Sequence, residues 1–226
     1  MFTHDPLVAL RQETSALSAV LHPLDPAQFD RPTNCPPWDL RELVVHTAAS
    51  VSIRGPFPSA DPQSVPSSAA DYYRRPERNT RQYRQRNVER SRQLSRRVLA
   101  GTSPARWFDE VPHDAVTKLS QDDLNRIVLI SERGAMRLAD WVVTRVVSVA
   151  AHGLDVALTL GRQPWTTSSA MTVIRPVFVE LIGAEPPASV NWDDHTLLAT
   201  ATGRRALTAE ERTLLGPLGG RIPVLS

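Results

Sequence analysis

Four polar side chains interrupt the apolar stretch RVVSVAAHGLDVAL, and their types could do chemistry together: Arg145, Ser148, His152 and Asp155. The intervals of three, four and three residues put all four on one side of a helix, if a helix forms there. Burying such groups is costly unless they pair. His152 and Asp155, one turn apart, can do so in two ways. They could form a satisfied structural pair in a core, or the carboxylate could hold one imidazole nitrogen and leave the other for a metal or for proton transfer.

A second histidine, His46, lies in another helical pattern. Two imidazoles on facing helices are a usual basis for a divalent metal site, completed by a carboxylate or a third histidine. The spacing leaves that third ligand open. Position 148 is ideally placed but holds serine, a poor zinc ligand, so Asp155, His113 and Asp114 are the candidates to replace it. His4, His22 and His195 read as surface or capping residues. Cys35, the single cysteine, rules out an internal disulfide and a thiolate metal cluster. In its TNCPPW context it reads as a buried structural residue beside a turn rather than as a nucleophile.

The elements that must position these groups are mostly helical in pattern. Asp5-Pro6 is a cap and first-turn pair ahead of a helix to residue 20, and Asp39 opens a second to about Ile53. A proline- and serine-rich loop follows from Pro56 to about Ser68. Residues 69 to 99 form a polar helical segment with ten arginines between Arg74 and Arg97. Gly101 and Pro104 end it, and the stretch from Trp107 to Asp123 is mixed enough to predict strands or turns, with a short helix near Asp122. Residues 136 to 160 predict a long helix, because the run far exceeds strand length, with Gly161 as its stop. A helix from Ser168 to Ile182 bent or interrupted at Pro176 comes next, then short ones near Trp192 to Ala201 and Thr208 to Leu215, the last opened by the capping box Thr208-Ala-Glu-Glu211.

At 226 residues and 41% apolar, the chain has enough material for one sizeable core. The expected fold is all-α, a four-helix bundle over residues 1 to 165 with a small helical extension, 166 to 226, packed on the same domain. No run of eighteen apolar residues or secretory pattern is seen, so the expected location is cytoplasmic. The formal net charge is only +2. Acidic residues nearly cancel the arginine segment and no base-reading pattern accompanies it, so nucleic acid is not an expected partner.

Three blocks in this order resemble the DinB/YfiT-like superfamily, and within it the mycothiol-dependent maleylpyruvate isomerase family. Cys35-Pro-Pro-Trp38-Asp-Leu-Arg-Glu-Leu-Val-Val-His46 is similar to the family's entry into its second helix. Arg145 through Asp155 is similar to its R-x-x-E-x-x-x-H-x-x-D helix, and Thr202-Gly-Arg204-Arg205 with the ending LGPLGGRIPVL to its tail. The resemblance implies a DinB-like four-helix bundle and a zinc or similar ion held at positions 46, 148 and 152. It also implies a low-molecular-weight thiol, mycothiol, activated by that ion. Ser148 departs from the family's glutamate and weakens the implied site, leaving His46 and His152 as metal ligands. His46, His152 and Asp155 are the candidate catalytic residues; Arg145, which lies on the same helix face as His152, and Arg204, which the resemblance implies, are the candidates to receive the thiol's polar groups. The implied reaction is thiol transfer or thiol-assisted isomerisation of a small electrophilic metabolite by a monomer or homodimer. A metal-independent enzyme (proton transfer or cyclisation) and a non-catalytic binding bundle are the alternatives.

Overall fold

The computed structural model describes residues 5–76, 80–130 and 134–225. Helices dominate it: α1 (Pro6–Leu21), α2 (Leu40–Val51), α3 (Ala69–Tyr73), α4 (Arg81–Val98), α5 (Pro104–Ser120), α6 (Leu138–Leu160), α7 (Ser168–Ile182), α8 (Asp194–Ala201) and α9 (Ala209–Leu215). One short hairpin, β1 (Ile127–Leu129) with β2 (Ala135–Arg137), pairs antiparallel with Val128 opposite Met136.

All of these helices except α6 begin where a side chain satisfies a first N–H group. Asp5 accepts from the Leu7 amide at 2.8 Å, Asp39 from Glu42 at 2.7 Å, and Thr208 and Glu211 form the expected capping box. Gly161 ends α6 with φ 63°, a conformation that costs glycine nothing. Helices α1, α2, α5 and α6 pack as the bundle; α7 lies along α1 and α6, and α4 along α2. Leu10, Leu17, Leu43, Phe108, Val146 and Phe178 are among the side chains that fill the space between them. The predicted all-α bundle is therefore present, with further helices after it.

Four local expectations need correction. Residues 104–120 are neither strand nor turn but α5, a full wall of the bundle that buries Phe108, Ala115, Val116 and Leu119. The polar segment 69–99 is divided into α3 and α4, with residues 77–79 outside the described set. Around Asp122 there is a turn, held by bonds from Arg126 at 2.6 and 2.7 Å, that leads into the hairpin. Pro176 lies inside a continuous α7. Among the described residues, α6 is long and apolar enough to cross a membrane by length and composition, but 78% of its most apolar window is buried within the bundle, as a core helix would be.

Candidate functional site

His46 projects from α2 and His152 from α6. The structure brings the two rings to a centroid separation of 5.2 Å, edge to face at 86°. Each ring has one nitrogen occupied. His46 Nδ1 is 2.9 Å from Ser91 Oγ on α4, and His152 Nδ1 donates to Asp155 Oδ2 at 2.9 Å. The Nε2 atoms remain for whatever enters between the helices. Trp38 lies against His46 with ring centroids 4.4 Å apart and is also within 6.5 Å of the His152 ring, so it packs beside both imidazoles.

Asp155 is fully buried and heavily engaged. Besides His152 it accepts Arg204 Nε at 2.9 Å, Arg204 Nη2 at 2.6 Å and Asn34 Nδ2 at 2.8 Å. Burial alone would raise its pKa, but the hydrogen bond from His152 and the charge of Arg204 more than offset that and hold it well below the usual carboxylate range. For His46 burial dominates, aided by the nearby His152 and Arg145, and pushes the imidazole down to about 3, so it is neutral at physiological pH.

A closed turn delivers the remaining wall. Thr33 Oγ1 donates to the Trp38 carbonyl at 2.8 Å and accepts the Cys35 amide at 3.1 Å, and Trp38 N–H donates to the Cys35 carbonyl at 3.1 Å. The turn thus sets Asn34, Cys35 and Trp38 along one rim. Cys35, expected as a buried structural residue, is half-buried and faces the cavity. Burial and the adjacent Asp155 charge push its thiol up to about 12, so it is held protonated and is a poor nucleophile. From the C-terminal tail come Thr202, Arg204 and Leu225, which close a cavity of about 500 Å³ over His46, Ser148 and His152.

Arg145 and Arg204 are not equivalent. Arg204 commits Nε and Nη2 to Asp155 and Nη1 to the Thr202 carbonyl at 2.8 Å, so it positions the carboxylate. Arg145 leaves this cavity altogether and reaches into a neighbouring one. The candidates for a third metal ligand also separate. His113 faces a groove between α1 and α5 with His22, and Asp114 is paired with Lys118 at 2.7 Å, so neither lines the cavity. Asp155 sits behind His152, on its Nδ1. His22 caps the end of α1, His195 lies in the first turn of α8, and His4 falls outside the described residues.

The donor set can be tested against a divalent ion. Two imidazoles on one tetrahedral zinc, with Zn–N of about 2.0–2.1 Å, have ring centroids about 5 Å apart, which His46 and His152 match. Ser91 and Asp155 occupy the positions from which supporting residues orient such ligands. The third position is a hydroxyl: Ser148 Oγ donates to Ser50 Oγ at 3.0 Å. A second group, Cys35, His152 and Asp155, has ligand atoms within 4.8 Å of one another and could coordinate a metal ion. There an ion would compete with Arg204 for Asp155 and displace the thiol proton.

The model of the mycothiol maleylpyruvate isomerase N-terminal domain matches residues 10–157, about two thirds of the chain. The chain belongs to that family. No curated protein and no solved structure matches it. The matched span covers the DinB-like bundle from α1 through most of α6, including His46, Ser148, His152 and Asp155, and stops short of the tail that supplies Arg204. Family membership thus supports a bundle associated with small-molecule, metal or thiol chemistry. Sequence reasoning missed Asn34, Tyr73 and Asn87 in the cavity wall. Asn34 adjoins the CPPW block, which was its only signal; the other two carry none.

Proposed function

We propose that the chain is a small-molecule enzyme in which a low-molecular-weight thiol, mycothiol, reacts with a small electrophilic metabolite between α2 and α6. One observation carries the reading. His152 lines a 500 Å³ cavity with Nδ1 fixed by a buried, ionised Asp155, opposite a neutral His46. An imidazole so held presents Nε2 as a proton acceptor, and the carboxylate stabilises the imidazolium that forms.

His152 Nε2 takes the thiol proton, and the resulting thiolate adds to an activated double bond or displaces a leaving group. In the transfer reaction the imidazolium returns the proton to the product carbon or the leaving group. In the isomerisation, rotation about the new single bond and loss of the thiolate restore the double bond, and the thiolate recovers its proton from His152. Cys35 stays a protonated bystander. Arg204 and Asn34 keep Asp155 charged and correctly placed, and the tail excludes water from the reacting atoms.

A divalent ion held by His46 and His152 would lower the thiol pKa further. Ser148 in place of an acidic ligand favours the metal-independent form, in which His152 does this alone.

The test uses mycothiol with maleylpyruvate for isomerisation and with an alkylating electrophile for transfer. Wild-type protein accelerates at least one. His152→Ala lowers the rate by about 10²–10⁴, the usual contribution of a general base, in a protein that stays folded at the assay temperature. Equal loss of fold and function would make His152 a core histidine, and a wild type inert toward both electrophiles would reject the thiol reading.

A further inference from the structure

His46 and Asn87 form part of the wall of a second cavity, about 700 Å³, on the other side from His152. Its charge is one-sided. Arg54, Arg90 and Arg97 are exposed at its mouth, Arg145 is half-buried within it, and among the described residues no aspartate or glutamate lines it. None of these four arginines is ion-paired with a carboxylate among the described residues, whereas Arg92 and Arg126 nearby are.

Arg145 is the deepest of the four and the most telling. Among the described residues its guanidinium donates to neutral acceptors alone: the Ser50 carbonyl at 2.8 Å, Tyr72 Oη at 2.8 Å and Thr144 Oγ1 at 2.9 Å. It also lies 5.0 Å from the centroid of the Trp141 ring and 5.2 Å from that of Tyr72. Dipoles and ring faces hold the cation in place but do not neutralise it. A partly desolvated charge kept without a counterion is costly, and an incoming anion would relieve that cost. Phe57 and Trp141, edge to face at 4.9 Å, give the same cavity an apolar wall.

We infer that this second cavity is a binding site for a small anionic metabolite, whose carboxylate or phosphoryl group meets Arg145 and whose apolar body packs on Phe57 and Trp141. The rim arginines draw the anion in and strengthen its binding at low salt. The inference does not rest on the thiol reading, since anion binding needs Arg145 and not His152. If both hold, the anion lies on one side of His46 and the thiol on the other.

Binding of benzoate to the intact protein by calorimetry tests it, with benzamide as the neutral isostere and inorganic phosphate as a competitor. Benzoate binds saturably and benzamide much more weakly. Competition by phosphate identifies a phosphoryl group as an acceptable source of the charge, and its absence restricts the site to carboxylates. Arg145→Met weakens benzoate at least about tenfold, as loss of a charge-assisted bond requires. Arg54→Ser with Arg97→Ser weakens it a few-fold and flattens the salt dependence. His152→Ala binds benzoate as wild type does. Benzamide bound as tightly as benzoate, or binding that survives in a folded Arg145→Met protein, would overturn the inference. Should Arg145→Met not fold, an unchanged affinity and salt slope in the rim double variant would overturn it instead.

Discussion

Asp155→Asn removes one charge at almost constant shape, and the structure sets how much that costs. Asp155 is completely buried, its partner Arg204 has a side chain only 18% exposed, and two Arg204 nitrogens reach it at 2.6 and 2.9 Å. The asparagine leaves the guanidinium without a counterion and turns one accepting oxygen into an NH₂ that faces donors. Breaking a buried pair on one side costs about 3–5 kcal/mol. At about 2–4 °C per kcal/mol for a chain of this size, the melting temperature falls by roughly 6–20 °C. Chemical denaturation of Asp155→Asn, Arg204→Met and the double variant measures this directly. The double variant should be more stable than the sum of the singles implies, with a coupling of about 2–3 kcal/mol. Additive effects with a single-variant cost below about 1 kcal/mol would equate the pair with an exposed one and refute the reasoning.

Two further predictions follow from His46 and Ser148. Burial holds the His46 imidazole down at about 3 against an ordinary 6.5, so between those values the unfolded chain binds one proton more than the folded one. Stability is therefore full above about pH 6.5 and falls on acidification by about 1.4 kcal/mol per pH unit, with the depressed Asp155 adding loss of the same sign below about pH 4. Urea unfolding at pH 7, 6, 5 and 4 checks the slope; His46→Gln should flatten it, and an equal slope in that variant would refute the assignment. Ser148→Glu supplies a carboxylate one turn before His152. It should tighten zinc binding by at least the roughly 10–100-fold that a supporting residue is worth, measured against a competing chelator. Equal affinity with serine and glutamate would mean that zinc does not bind between His46 and His152.

The helices framing the site were legible because α2 and α6 each combine a helix-length apolar pattern with polar residues at helical spacing. Alpha-helix α6 forms despite many β-branched valines, because burying Val142, Val146 and Val149 outweighs their weak helix propensity. By contrast α5 was concealed. Gly101 and Pro104 read as the end of the preceding segment, yet Ser103 accepts the Arg106 amide at 3.2 Å and opens the next helix with Pro104 in its first turn, while Pro112 blurs the period inside it.

Within the site, the His152 and Asp155 pair could be read from spacing, because both lie one turn apart on a single helix. The clamp of Arg204 on Asp155 joins residues 49 positions apart, and that of Asn34 on Asp155 residues 121 positions apart. Local pattern carries no register for contacts at such a distance. The division of Arg145 and Arg204 between two cavities was hidden for the same reason. Arg145 shares a helix face with His152, but its long side chain crosses toward Ser50 and Tyr72.

The central claim is that His152 works through Nε2 while Asp155 holds Nδ1, and nitrogen-15 NMR of the histidine side chains tests it most directly. The account predicts that neutral His152 carries its proton on Nδ1 and that added mycothiol perturbs the Nε2 resonance, with no such response in Asp155→Asn. A proton on Nε2 of the neutral ring, or an Nε2 resonance indifferent to mycothiol, would contradict it.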